Sequence, residues 1–179
     1  SLELVLLDQG QIQERVSLPL GAMRLHTVFG SNRKALEDEV NQHLDSVPWL
    51  TEHEKLPLFA VGGSWRSIAK LYIAQENYPI SVVHNMTMPF GEISDLTRII
   101  SQQSRASLEK IGGVSKRRTD SLPHAALVMH HLINRMKAKN VIFSGHGLRE
   151  GWMFEALPEE VRDRDPLLET CLSFAEDSE

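Results

Sequence analysis

Residues 56–75, LPLFAVGGSWRSIAKLYIAQ, constrain the fold more than any other stretch of the chain. Leu58, Phe59, Ala60 and Val61 form a short apolar run of the kind a buried strand uses. Gly62 and Gly63 follow at once, then Ser64, then a helical spacing with Ile68, Leu71 and Tyr72 on one side. Two glycines between a strand and a helix leave backbone N–H groups uncovered by any Cβ. Those groups and the positive end of the helix macrodipole point at the same spot. Such a turn suits a phosphate oxygen. It equally makes a plain tight turn with Ser64 as N-cap, and taken alone the segment favours that plainer reading.

At 179 residues the chain suits one domain with a sizeable core. Its apolar and charged fractions, 41% and 24%, are those of a globular protein. The net charge of −5 argues against broad binding to nucleic acid or to an anionic membrane. An anionic ligand would therefore need local help from glycine amides, a few arginines or a divalent metal. The single cysteine, Cys171, has no internal disulfide partner and no neighbour resembling a zinc ligand. It reads as a buried apolar thiol in a reducing compartment. No apolar run reaches membrane-spanning length and no signal peptide is visible, so the expected location is cytoplasmic.

Along the chain, residues 2–7 and 11–20 read as a hairpin around Asp8-Gln9-Gly10, with Ile12, Val16 and Leu18 alternating against polar neighbours. Residues 21–28 suit a short helix. Ser31 is placed as the N-cap of a helix over 32–46, with Ala35, Leu36, Val40 and Leu44 as its stripe. After the strand–glycine–helix unit, residues 80–83 suit a short strand or an extended link. Helices are expected over 92–102, 104–111 and 117–137, the last with Pro123 in its first turns and Asn140 as its stop. Val141–Ser144 is a second buried strand, and Gly145-His146-Gly147 leads to a helix over 148–157. Shorter helices follow after Pro158 and over 166–175. The order implies an α/β domain, its two short apolar strands forming a parallel layer with helices on both faces.

The strand–glycine–helix turn thus occurs twice, as VGG-SWR and FSGHG-LREG, each with an arginine close behind, Arg66 and Arg149. In an open α/β sheet both open at the carboxyl edge, where ligands bind. Five segments then carry a resemblance: Ser1-Leu2-Glu3-Leu4-Val5, the stretch SLPLGAMRL from Ser17, Val61-Gly62-Gly63-Ser64-Trp65-Arg66, Arg118-Thr119-Asp120-Ser121-Leu122-Pro123, and the stretch SGHGLREG from Ser144. In this order they resemble the exopolyphosphatase and guanosine pentaphosphate phosphatase family. The first looks like the tail of that family's Asp-x-Gly-Gly-Gly-Ser-x-Glu phosphate loop.

The resemblance implies a ribonuclease-H-like domain of the actin, sugar-kinase and heat-shock ATPase superfamily: a mixed sheet flanked by helices, the second lobe of a two-lobe core, with a helical insertion at about 89–137. It implies hydrolysis of the terminal phosphoanhydride of polyphosphate, or of the 5′ phosphate of guanosine pentaphosphate, with Mg2+ or another divalent cation. Glu3 is carried over as the catalytic carboxylate that positions metal or water. Ser1, Gly62, Gly63 and Ser64 are carried over as phosphate-binding residues, with Arg66 a weaker candidate and Arg149 a further one. Glu150 and Arg149 equally suit a pairing that caps a helix. The expected partners are the substrate and an N-terminal lobe of the same protein, with a homodimer also entertained.

Several parts of the family pattern lie outside these residues: the loop's aspartate and glycines, the strand carrying them, and the first lobe with its expected catalytic base. The missing strand would lie centrally, between the hairpin and Leu58–Val61. The expectation is therefore that these residues come from a longer chain, that the sheet is split without the preceding ones, and that residues 1–179 alone hydrolyse nothing. Two other readings stand beside the phosphatase: an ATP-dependent sugar or acetate kinase lobe, and a non-catalytic domain sensing a phosphorylated alarmone. His124, His130, His131 and His146 read as structural. Lys116-Arg117-Arg118 reads as a solvated helix start, and Trp49, Trp65 and Trp152 form no stacking platform for nucleic acid.

Overall fold

The computed structural model describes residues 1–110 and 118–176. Calls on Ile111, Gly112, Gly113, Lys116 and Arg117 lie outside the described residues. The chain divides into two compact units, Ser1–Gly145 and His146–Glu179.

The first unit opens with the expected hairpin, β1 (Leu2–Asp8) antiparallel to β2 (Gln11–Leu18). Its turn uses positive φ at both Gln9 (48°) and Gly10 (76°), the backbone hand that suits the twist of paired strands. Leu2, Leu4 and Leu18 are buried, while Val5, Leu7 and Ile12 are exposed, so the hairpin buries one face at one end only. Then follow α1 (Ala22–Phe29), α2 (Arg33–Asp45) and the single turn α3 (Trp49–Glu52). Asn32, not Ser31, caps α2: its Oδ1 accepts from the Ala35 amide at 3.3 Å. Both residue types cap well, and the helix simply starts one residue later than expected.

Next come β3 (Leu58–Val61), α4 (Gly63–Gln75), β4 (Thr87–Pro89), α5 (Phe90–Ser101), α6 (Arg105–Glu109), α7 (Leu122–Arg135) and β5 (Asn140–Ser144). Strand β5 is central in a mixed sheet of order β3-β5-β4, parallel to β3 and antiparallel to β4. The hairpin forms a separate two-stranded sheet and does not pair with β3, as expected from the family pattern. Leu58, Ala60, Val141 and Phe143 share one face by register, and the last three are fully buried. The opposite face carries Phe59 and Val61, 61% and 52% exposed. The sheet is mixed and flanked by helices, as the fold reading expects, with these two edge-strand side chains left open.

Helix α7 is the central post. Leu122, Ala125, Ala126, Leu127, Val128, Met129, Leu132 and Ile133 are all buried, an apolar surface nearly all round. It packs against α1, α2, α4 and α5. Pro123 lies in its first turn, where the missing N–H costs nothing. The helix ends before the expected stop: Lys137 turns to φ 45°, and Asn140 begins β5 instead.

The second unit holds α8 (Leu148–Glu155), α9 (Glu159–Arg162) and α10 (Pro166–Glu176). None of its described side chains is buried. Cys171, expected inside, is exposed for that reason. No helix among the described residues is long and apolar enough to cross a membrane.

Candidate active site

The parallel register places the two glycine turns side by side. Val61 pairs with Ser144, so Gly62 and Gly145 leave adjacent strands at the same carboxyl edge. Gly62 has φ 126° and ψ 158°, a region that essentially only glycine enters. It is also the N-cap of α4, where no side chain caps the helix. Ser64 therefore does not cap α4, contrary to the plain-turn reading; it is the second residue of the helix. The Arg66 amide bonds to the Gly62 carbonyl at 3.0 Å. The amides ahead of it, at Gly63, Ser64 and Trp65, have no side-chain cap and face the turn with the positive end of the helix dipole.

Gly63 makes room for a neighbouring side chain instead. A Cβ there would stand 2.7 Å from Cζ of Arg118. That guanidinium donates to the Gly63 carbonyl at 2.8 Å and reaches Ser67 Oγ at 3.4 Å. Arg118 was read as part of a solvated helix start. Its sequence signal is its place at the head of the R-T-D-S-L-P segment. Arg66 crosses to the neighbouring strand and donates to the Gly145 carbonyl. Two arginines thus bracket the turn, each held by a backbone carbonyl through one nitrogen.

Glu3 stands on the exposed side of β1, away from Leu2 and Leu4. Ser17 Oγ donates to its carboxylate at 2.8 Å across the hairpin. Hydrogen bonds from Ser1 and then Ser17 hold its pKa below the usual 4.5, against the opposing effect of desolvation. Ser1 lies close against the hairpin exit, so close that a Cβ at Gly21 would meet its backbone nitrogen at 2.6 Å. The structure therefore assembles the site residues in two groups, Ser1 with Glu3 and Ser17, and Gly62, Gly63, Ser64 and Arg66 with Arg118. Among the described residues no hydrogen bond or ion pair joins one group to the other.

In the second unit Arg149 is exposed in the first turn of α8. Glu150 Oε2 accepts from the Gly147 amide at 2.7 Å, the acidic half of a capping box, and the Glu150 and then the Gly147 backbone amides lower its pKa. Glu150 thus caps α8, and the nearby Arg149 charge adds to the lowering of its pKa.

No group of three or more His, Cys, Asp or Glu among the described residues could hold a metal. A magnesium site asks for less, one or two carboxylates with substrate phosphates and waters completing the shell. Glu3 fits that limited role. The histidines pack instead: His124 Nε2 bonds the Gly30 carbonyl at 2.9 Å, His130 Nδ1 the Ser94 carbonyl at 3.2 Å and His131 Nδ1 the Asn41 Oδ1 at 2.9 Å.

A family model described as the Ppx/GppA phosphatase family matches residues 1–160. Retrograde regulation protein 2 of Saccharomyces cerevisiae is 30% identical over 196 aligned positions, covering 97% of this chain and 33% of that protein. An exopolyphosphatase from Cytophaga hutchinsonii superposes with a TM-score of 0.73 at 17% identity, over 85% of this chain and 52% of that one. The Aquifex aeolicus PPX-GPPA enzyme gives 0.69 at 21% identity, over 84% and 52%. At such identities these two structures show the shared fold. The chain spans a third of the curated relative and about half of each solved structure. The match that runs from residue 1 to residue 160 decides the matter: the chain belongs to the Ppx/GppA phosphatase family.

Proposed function

We propose that this chain is the second lobe of a phosphohydrolase acting on a terminal phosphoanhydride, with polyphosphate or guanosine pentaphosphate as substrate. The observation that carries the reading is the uncapped start of α4 at Gly62, flanked by the guanidinium groups of Arg66 and Arg118. Phosphoryl transfer asks a protein mainly for positioning and for charge placed on the phosphoryl oxygens. The amides of Gly63 and Ser64 would receive a phosphoryl oxygen. Arg66 and Arg118 keep donors beyond those bonded to carbonyls, and those would face the anion. Ser1 would contact phosphate through its hydroxyl. Glu3, ionised at neutral pH with Ser17 orienting it, would align the attacking water. A bound Mg2+, held in part by Glu3, would neutralise charge on the phosphoryl oxygens.

The whole protein, not residues 1–179, is the form to test. Glu3→Gln should lower phosphate release from polyphosphate or guanosine pentaphosphate by roughly 10²–10⁴-fold while ligand binding persists. A second reading is favoured by the name of the yeast relative, which describes regulation. In it the same turn binds a phosphorylated signal and hydrolyses nothing. Tight binding with no phosphate release from the wild-type protein would select that reading.

A further inference from the structure

The backbone of Gly145 is gripped from both sides. Its amide donates to Nδ1 of His84 at 3.1 Å, and its carbonyl accepts from Arg66. An accepting Nδ1 places the ring proton of neutral His84 on Nε2. His84 also stands where a side chain at 145 would project, its Cβ 3.1 Å from the position of an added Cβ. Glycine is the residue that admits this approach. Without a side chain Gly145 has little intrinsic restraint on its two flanking peptides, and the imidazole supplies that restraint on one of them.

The loop carrying His84 is itself fixed. The Asn85 amide donates to the Phe143 carbonyl at 2.8 Å and the Phe143 amide to the Met86 carbonyl at 2.9 Å. Asn85 takes φ 61°, which Asn tolerates better than most residues. His84 is therefore presented from a short loop stitched to β5, two residues ahead of Gly145.

We propose that His84 is a positioning residue: by holding Gly145 it sets the carbonyl on which the Arg66 guanidinium rests, and so fixes that charge beside the Gly62–Gly63 turn. The chain of contacts is His84 Nδ1 to the Gly145 amide, then the Gly145 carbonyl to Arg66. It runs from the loop ahead of β4, across the end of β5, to the start of α4. This inference rests on the phosphate-binding reading of that turn. It adds a residue that touches no substrate and acts through Arg66.

The test uses the full-length protein with His84→Leu, His84→Asn and Arg66→Ala, singly and with His84→Leu on Arg66→Ala. Asn can place an accepting oxygen near the position of Nδ1; Leu cannot. In His84→Leu the peptide containing Gly145 should exchange its amide hydrogens about tenfold faster. KM for polyphosphate should rise about fivefold with kcat within about twofold of wild type. His84→Asn should restore both. On the Arg66→Ala background His84→Leu should change KM no further. Unchanged amide exchange in His84→Leu overturns the proposal, as does a KM effect that persists undiminished without Arg66. If wild-type protein shows no turnover, the hydrolase reading fails, and the same comparisons are made with the Kd for tripolyphosphate. No binding of that anion by wild-type protein overturns the proposal as well.

Discussion

The Arg118 guanidinium occupies the space that a side chain at Gly63 would need. Its neighbour Gly62 has nothing within 4 Å of an added Cβ, yet sits at φ 126°. Adjacent glycines therefore serve unlike ends, Gly62 its own backbone and Gly63 the seating of Arg118. Gly62→Ala should cost about 1–3 kcal/mol of stability, the strain of a backbone region closed to alanine. Gly63→Ala should stay within about 1 kcal/mol of wild type, because alanine favours the helix and Arg118 is free to swing at its far end. Denaturant unfolding of the two variants checks the contrast. Equal destabilisation would sink the argument. Anion affinity should fall in Gly63→Ala even though the fold holds, since Arg118 is displaced.

Ser17 tests the electrostatics of the hairpin corner. Hydrogen bonds from Ser1 and Ser17 stabilise the Glu3 carboxylate and keep its pKa low. Ser17→Ala removes the 2.8 Å bond, so the pKa should move up toward the ordinary 4.5. If Glu3 must be ionised to align water, the acid limb of the kcat/KM profile should shift upward with it. An unmoved acid limb would separate Glu3 from the chemistry.

Three histidines of α7 make stability depend on pH in one direction. Burial is the largest influence on His124, His130 and His131, and it lowers each pKa from 6.5, partly offset at His124 and His130 by the Gly30 and Ser94 carbonyls. The folded state then binds fewer protons than the unfolded one below pH 6.5. Stability should be complete above that value and fall as pH drops below it toward the lowered folded values. Thermal unfolding at pH 7.5 and pH 5.5 measures the loss. His124→Gln should reduce it by that residue's share, because glutamine does not titrate while His130 and His131 still do. A denaturation midpoint that rises on acidification would contradict this account.

Much of this architecture is legible along the chain. The hairpin shows as alternation around Asp8-Gln9-Gly10, and β3 and β5 show as apolar runs that break into glycine. These are local patterns, and local physics decides them. Strand β4 is not legible. Thr87-Met88-Pro89 is three residues long and exists because β5 offers an edge. Asn140 looks like a helix stop because Asn favours such places, but Lys137 had already turned the chain. Of the candidate site, Gly62, Gly63 and Arg66 could be read locally. Arg118 could not, because its meaning lies in a contact 55 residues away. Glu3 rested on family resemblance, since a lone carboxylate on a strand has no local signature. Cys171 was misplaced because composition alone cannot say which helices find a core.

Phe143 ties the core to the site. Its side chain is fully buried, on the face of β5 shared with Val141, Ala60 and Leu58. Its backbone meanwhile bonds the loop at Asn85 and Met86 that presents His84. Phe143→Ala should leave a cavity and cost about 3–5 kcal/mol, whereas Phe143→Leu keeps most of the volume and should cost less. The backbone bonds to the loop do not depend on the side chain. In Phe143→Leu the amides of Asn85 and Gly145 should therefore stay protected while global stability falls. Hydrogen exchange resolved at those two amides, set against the unfolding free energy, decides the point. Loss of protection in step with the small loss of stability would show that the loop is held by side-chain packing instead.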